Sequence, residues 1–123
     1  MNADAWRDFP GAPEPGAVLC AIAELPKAGV KSVDLNGFPV LLVASADGLR
    51  AYVNACPHQY LPLDWRTANI LSDDGERLRC SNHAWGFDAC TGAGLDGGAE
   101  GCALDPLPVH VVGDTVRVGP GAG

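Results

Sequence analysis

The stretch VKSVDLNGFPVLLVA, residues 30–44, reads as two β-type runs, 30–35 and 38–44, on either side of Asn36-Gly37. That dipeptide accepts positive φ at both centres of a two-residue turn, so a tight antiparallel hairpin is expected. Working outward, Asp47-Gly48 turns the chain into a further run over 49–54, which extends the meander and brings Cys56 to the end of a strand. Near the other end, runs at 109–112 and 115–118 flank the turn dipeptide Gly113-Asp114 and predict a second hairpin. Residues 17–25 read as a first strand, broken over 26–29 by Pro26 and Gly29. The fold class is all-β.

Composition agrees with a turn-rich fold. The chain has 123 residues, with 16 Gly, 10 Pro and 47% apolar residues, which excludes a long coiled coil. One domain over 1–123 is expected, with its core about 17–118. The Pro-rich segment 6–16 and the end Gly119-Pro120-Gly121-Ala122-Gly123 are expected to lie loosely on the surface. Eight Lys and Arg against fifteen Asp and Glu give a net charge of −7, a poor match to phosphate backbones or anionic lipid, so no nucleic acid is expected as partner. The longest mostly apolar run, 38–46, falls far short of the ~20 residues that span a bilayer. The first residues carry no basic, apolar leader. A soluble, cytoplasmic monomer is expected. In that compartment five cysteines argue for metal binding or free thiols before structural disulfides.

The centre of the chain, 56–107, holds most of the Cys, His and Gly-rich sequence and little periodicity. Four residues stand out as two short pairs, Cys56-Pro57-His58 and Cys80-Ser81-Asn82-His83. Each pair offers one thiolate and one imidazole, and short spacing on a loop lets both converge on one metal. Asp73-Asp74-Gly75 supplies the turn that brings the pairs together. Two thiolates and two imidazoles suit a tetrahedral Zn²⁺, or a [2Fe–2S] centre in which two His replace two Cys on one iron. The count alone leaves both open.

With its flanks, however, the sequence resembles the Rieske iron–sulfur proteins. C-x-H at 56–58 continues into Gln59 and Leu63, and C-x-x-H at 80–83 is followed by Trp85, Phe87-Asp88 and Thr91-Gly92, similar to that family's two cluster-binding loops and the strand that leaves them. The resemblance covers about 17–118. It implies an antiparallel β-sandwich with a small cluster-binding subdomain at about 55–107, and one [2Fe–2S] cluster per chain. Cys56 and Cys80 would hold one iron, and His58 and His83 the other. Ala84 stands where the family usually has Gly, and the gap between the pairs is longer than in many members.

High-potential members of the family carry an additional disulfide between the loops, where this chain has Leu61 and Asn82, and place Ser and Tyr hydroxyls where it has Trp85 and Phe87. Fewer donors to the cluster predict a potential near the low end of the Rieske range, roughly −150 mV. Redox-linked proton uptake at His58 and His83 is also expected, with the potential falling as pH rises through their oxidised-state pKa values.

No catalytic apparatus is evident, and the expected role is electron transfer from a reductase to a terminal oxygenase such as a ring-hydroxylating dioxygenase, the chain itself not being the enzyme. One rival is a Rieske-like small subunit of an assimilatory nitrite reductase. Another is a structural zinc-binding interaction module using the same four ligands, whose spacing is unusual for zinc. Cys20 reads as a buried hydrophobe, Cys90 and Cys102 as free thiols, and His110 as a strand histidine with no metal. The acidic residues Asp64, Asp73, Asp74, Glu76, Asp96, Glu100 and Asp105 read as a solvated face. Trp85 is expected to pack beneath the cluster, Trp65 to lie near the docking edge, and the segment Pro106-Leu107-Pro108 to cover the cluster.

Overall fold

The computed structural model describes residues 5–9, 11–25, 29–45, 48–55, 63–64, 69–80 and 85–119. Within them the strands are β1 (Val18–Ala21), β2 (Gly29–Leu35), β3 (Phe38–Ser45), β4 (Gly48–Val53), β5 (Arg77–Arg79), β6 (Gly86–Asp88), β7 (Gly94–Asp96), β8 (Val109–Val112) and β9 (Thr115–Val118). They form three antiparallel sheets, in the orders β1-β9-β8, β2-β3-β4 and β5-β6-β7. Among the described residues no helix is long and apolar enough to cross a membrane.

The expected first hairpin is present. Asn36 and Gly37 take φ of 53° and 93°, Leu35 pairs with Phe38, and the register runs on without a slip to Gly29 opposite Ala44. The Asp34 carboxylate accepts from the Gly37 N–H and closes the turn. β4 then pairs with β3 from Ser45 opposite Gly48 to Val40 opposite Val53, and the second hairpin pairs Val109 with Val118 and Val112 with Thr115.

The β2-β3-β4 sheet is the middle layer, because both faces of β3 are buried. Phe38, Val40 and Leu42 point to one side with Ala51 and Val53 of β4, joining Leu19, Cys20, Leu107, Val116 and Val118 in a core shared with the β1-β9-β8 sheet. Leu41, Val43 and Tyr52 point to the other, joining Leu78, Cys80, Phe87, Ala89 and Leu104 beneath the β5-β6-β7 sheet. Period-two alternation across a sheet covered on both sides explains why 38–44 reads as an unbroken apolar run. The β-sandwich with an attached small sheet is therefore the observed architecture. Tyr52 ties the middle layer to the small sheet, its buried hydroxyl donating to the Ala89 carbonyl at 2.7 Å. Burial raises the pKa of this phenol well above its usual value. Tyr52→Phe leaves that carbonyl unsatisfied and is expected to cost about 1–2 kcal/mol in denaturant unfolding.

Two expectations are corrected. The first strand does not run over 17–25. It stops at Ala21, where the Glu24 carboxylate accepts from the Ala21 N–H, and Ile22–Glu24 form a 3₁₀ turn whose Ile22 N–H reaches the Asp114 carbonyl. Nor is the described part of 6–16 loose. A 3₁₀ turn at Ala5–Asp8 buries Trp6 in the second core, Phe9 meets Phe38 edge-on at 6.4 Å, and the Gly16 N–H donates to the Val118 carbonyl. Residues 120–123 lie outside the described residues.

Candidate metal centre

Both candidate ligand segments are hung from clamped ends. β4 ends at Val53, and Asn54 after it is the buried polar side chain of the described residues, 1% exposed. Its Oδ1 accepts from the Leu63 N–H at 2.8 Å, its Nδ2 donates to Asp64 Oδ1 at 2.9 Å and lies 3.4 Å from Ser32 Oγ. The main chain on the near side is fixed as well, since the Asn54 N–H donates to the Pro39 carbonyl and the Val53 N–H to the Asp105 carbonyl. One carboxamide thus holds together the two ends of the segment that contains Cys56 and His58.

The second segment is the tip of a hairpin. β5 pairs with β6 from Arg77 opposite Asp88 to Arg79 opposite Gly86, and the next rung is the Cys80 N–H donating to the Trp85 carbonyl at 2.9 Å. Residues 81–84, with His83, follow this rung in the sequence. Behind β5, 70–72 run alongside it, with the Arg79 N–H on the Ile70 carbonyl and the Ser72 N–H on the Arg77 carbonyl. The expected turn at Asp73-Asp74-Gly75 joins them, its Gly75 at φ 72°. Asp74 accepts from Ser72 Oγ, and that hydrogen bond, with one from the Glu76 N–H, lowers its pKa.

Cys80 is 2% exposed and belongs to the same core cluster as Leu63. The root of one segment and the end of the other therefore share one hydrophobic cluster. Trp85 packs against that cluster, and the turn at 97–98 lies on its indole, where a Cβ at Gly98 would sit 2.6 Å from Nε1. Cys56, His58 and His83 lie outside the described residues, as do Leu61, Trp65, Asn82 and Ala84. Among the described residues no group of three or more His, Cys, Asp or Glu converges on one point.

Cys20, Cys90 and Cys102 are free thiols, and burial pushes the Cys20 thiol pKa up. His110 Nδ1 is 2.9 Å from the Gly119 carbonyl oxygen, which makes it a satisfied strand histidine. Asp64 and Asp96 are more than a solvated face, since Asp64 holds Asn54 and Asp96 meets Arg79 at 3.2 Å and Arg77 at 3.8 Å. Burial raises the Asp105 pKa. The segment at Pro106, expected to cover the cluster, is described only on its side toward β4. It runs antiparallel to β4, with Tyr52 opposite Pro106 and the Leu107 N–H on the Ala51 carbonyl, and Leu107 fills the second core. Proline has no N–H for the ladder, so the hydrogen bonds fall on either side of it.

Asn54 is the residue that sequence reasoning missed. Its only signal was an amide side chain at the exit of a strand, two residues before Cys56.

The family model for the Rieske [2Fe-2S] domain matches residues 16–110. The ferredoxin of carbazole 1,9a-dioxygenase from Nocardioides aromaticivorans IC177 has a similar structure, with a TM-score of 0.72, 22% identity, and 88% of this chain and 100% of that one covered. The Sphingomonas yanoikuyae B1 ferredoxin superimposes with a TM-score of 0.68 and 21% identity, over 84% of this chain and 96% of that one. At such identities these likenesses establish the fold. In sequence, the methanesulfonate monooxygenase hydroxylase subunit alpha of Methylosulfonomonas methylovora is 32% identical over 73 residues, 54% of this chain. The chain matches only 18% of that relative's length. The donor set fits the cofactor in the family's description: two soft thiols and two imidazoles, with the Cys80 thiol already dry at the root of its loop.

Proposed function

The chain belongs to the Rieske [2Fe–2S] domain family, and on that premise we propose that it is a one-electron carrier, taking electrons from a reductase and passing them to an oxygenase. Ring-hydroxylating dioxygenases and related multicomponent monooxygenases are the acceptor class, with the cytoplasm as the compartment. The observation that carries the reading is the pair of clamped segments, each bearing one Cys and one His, whose roots meet in one hydrophobic cluster. Cys56, His58, Cys80 and His83 would hold the [2Fe–2S] group, which when bound supplies a one-electron couple.

The rest of the chain's work is to hold those segments still and to set the potential. Phe87 fills the core and Trp85 packs beside it, and neither side chain has a hydroxyl to stabilise an added electron. That supports a potential near the low end of the Rieske range, roughly −150 mV, to be read by a redox titration. The 2% exposure of Cys80 supports a cysteine side set deeper in protein. The histidine side is then the exit for the electron.

The deciding experiment is low-temperature EPR of the dithionite-reduced protein, with iron and acid-labile sulfide measured on the same sample. Equal iron and sulfide with a rhombic signal of low average g, as imidazole ligation gives, is the expected result. A colourless, EPR-silent protein carrying zinc would remove electron transfer from the reading. Stable co-purification with a large reductase subunit would move the chain to the nitrite reductase class.

A further inference from the structure

A cleft of about 490 Å³ opens beside β4, between the strand, the turn at 88–92 and the segment 106–109. That volume is within the range of small-molecule sites, roughly 300–1,000 Å³. Leu49, Tyr52, Leu107 and Val109 give it apolar walls, and two cations, Arg7 and Arg50, line it as well. The Arg50 guanidinium bridges two of those walls, its Nε donating to the Cys90 carbonyl at 3.3 Å and its Nη1 to the Leu49 carbonyl at 3.1 Å. Among the described residues its Nη2 has no hydrogen-bond partner and no carboxylate pairs with it.

Acids outnumber bases fifteen to eight, and Arg77 and Arg79 both lie against Asp96, whereas Arg50 is partly buried and its hydrogen bonds go to carbonyl oxygens. A partly desolvated cation without a counter-ion is costly, and a guanidinium already pinned in place loses little freedom when a carboxylate arrives. The Tyr52 hydroxyl is occupied with the Ala89 carbonyl, and so adds no negative charge to the cleft.

We propose that this cleft binds a small monocarboxylate with an apolar body, an aromatic or branched aliphatic acid. Its carboxylate lies on the Arg50 guanidinium and its body against Leu49, Tyr52, Leu107 and Val109. None of the residues lining the cleft is one of the four candidate ligands, and the proposal does not rest on the electron-transfer reading.

The test is an NMR titration of the full-length, iron-loaded protein with benzoate, and with benzamide as the neutral isostere. Benzoate is expected to bind saturably, shifting the Arg50 Nε–Hε resonance and the amides of 49–52, 90–91 and 107–109. Benzamide should bind about tenfold more weakly or worse, the usual worth of a charge-assisted hydrogen bond. Arg50→Met keeps the apolar stem and should abolish the preference for benzoate, while Arg50→Lys should retain part of it. Equal affinity for the two probes, the absence of saturable benzoate shifts, or undiminished benzoate binding by Arg50→Met would each overturn the proposal. Should Arg50→Met fail to fold, the two-probe comparison on the native protein and the Arg50→Lys titration decide the matter.

Discussion

Cys80→Ser protein is expected to emerge from purification with essentially no bound iron or acid-labile sulfide and without visible colour. Cys80 directly follows β5, 2% exposed, with its own N–H fixed on the Trp85 carbonyl, so neither its position nor its dryness changes when sulfur becomes oxygen. What changes is the donor: a serine hydroxyl is harder, and far less readily ionised than a thiol, whereas iron–sulfur centres are held by thiolates. The control that separates ligation from packing is Cys20→Ser. Cys20 is also buried, at 7% exposure, but it belongs to the opposite core with Phe38 and Val116. That variant should lose stability through an added buried hydroxyl and keep its full iron content. Iron and sulfide analysis of the two variants side by side checks the assignment, and a fully loaded Cys80→Ser protein would end the ligand role.

What the sequence could and could not disclose follows from the length scale of each signal. The hairpins at Asn36-Gly37 and Gly113-Asp114 were legible because a two-residue turn fixes register at once, and the flanking runs are long enough to show their β character. The β5-β6-β7 sheet was not resolved into strands. Its strands have three residues each, too few for alternation to appear, and β5 is marked mainly by one inward residue, Leu78. The first strand reads too long because three of the four residues 22–25 are apolar like those before them, and what ends the strand is a capping carboxylate that folds back from Glu24. Trp6 lies in a stretch whose prolines suggested a loose surface segment, but an indole has more area to bury than a few turns can keep in solvent. The four candidate ligands, by contrast, stood out at once, since Cys and His at spacings of two and three have few structural reasons to recur.

Asn54 is the opposite case, a residue whose meaning exists only after folding, and its replacement tests how much of the site is scaffold. In Asn54→Leu the branched side-chain outline is kept and every side-chain hydrogen bond is lost. The buried Leu63 N–H loses its acceptor, and Asp64 and Ser32 lose the amide between them. Leaving one buried donor unsatisfied costs about 1–3 kcal/mol, so denaturant unfolding should show a loss in that range or above. Asn54→Asp separates the two halves of the carboxamide. It keeps an acceptor for Leu63 but sets a carboxylate beside Asp64, so its deficit should shrink as the pH is lowered far enough to protonate one of the pair, whereas that of Asn54→Leu has no such titration to relieve it. Because Leu63 and Asp64 close the segment that carries Cys56 and His58, both variants should also release iron to a chelator faster than the native protein, and their reduced EPR spectra should broaden. An Asn54→Leu protein with native stability and native iron retention would mean that the segment is held by its ligands alone.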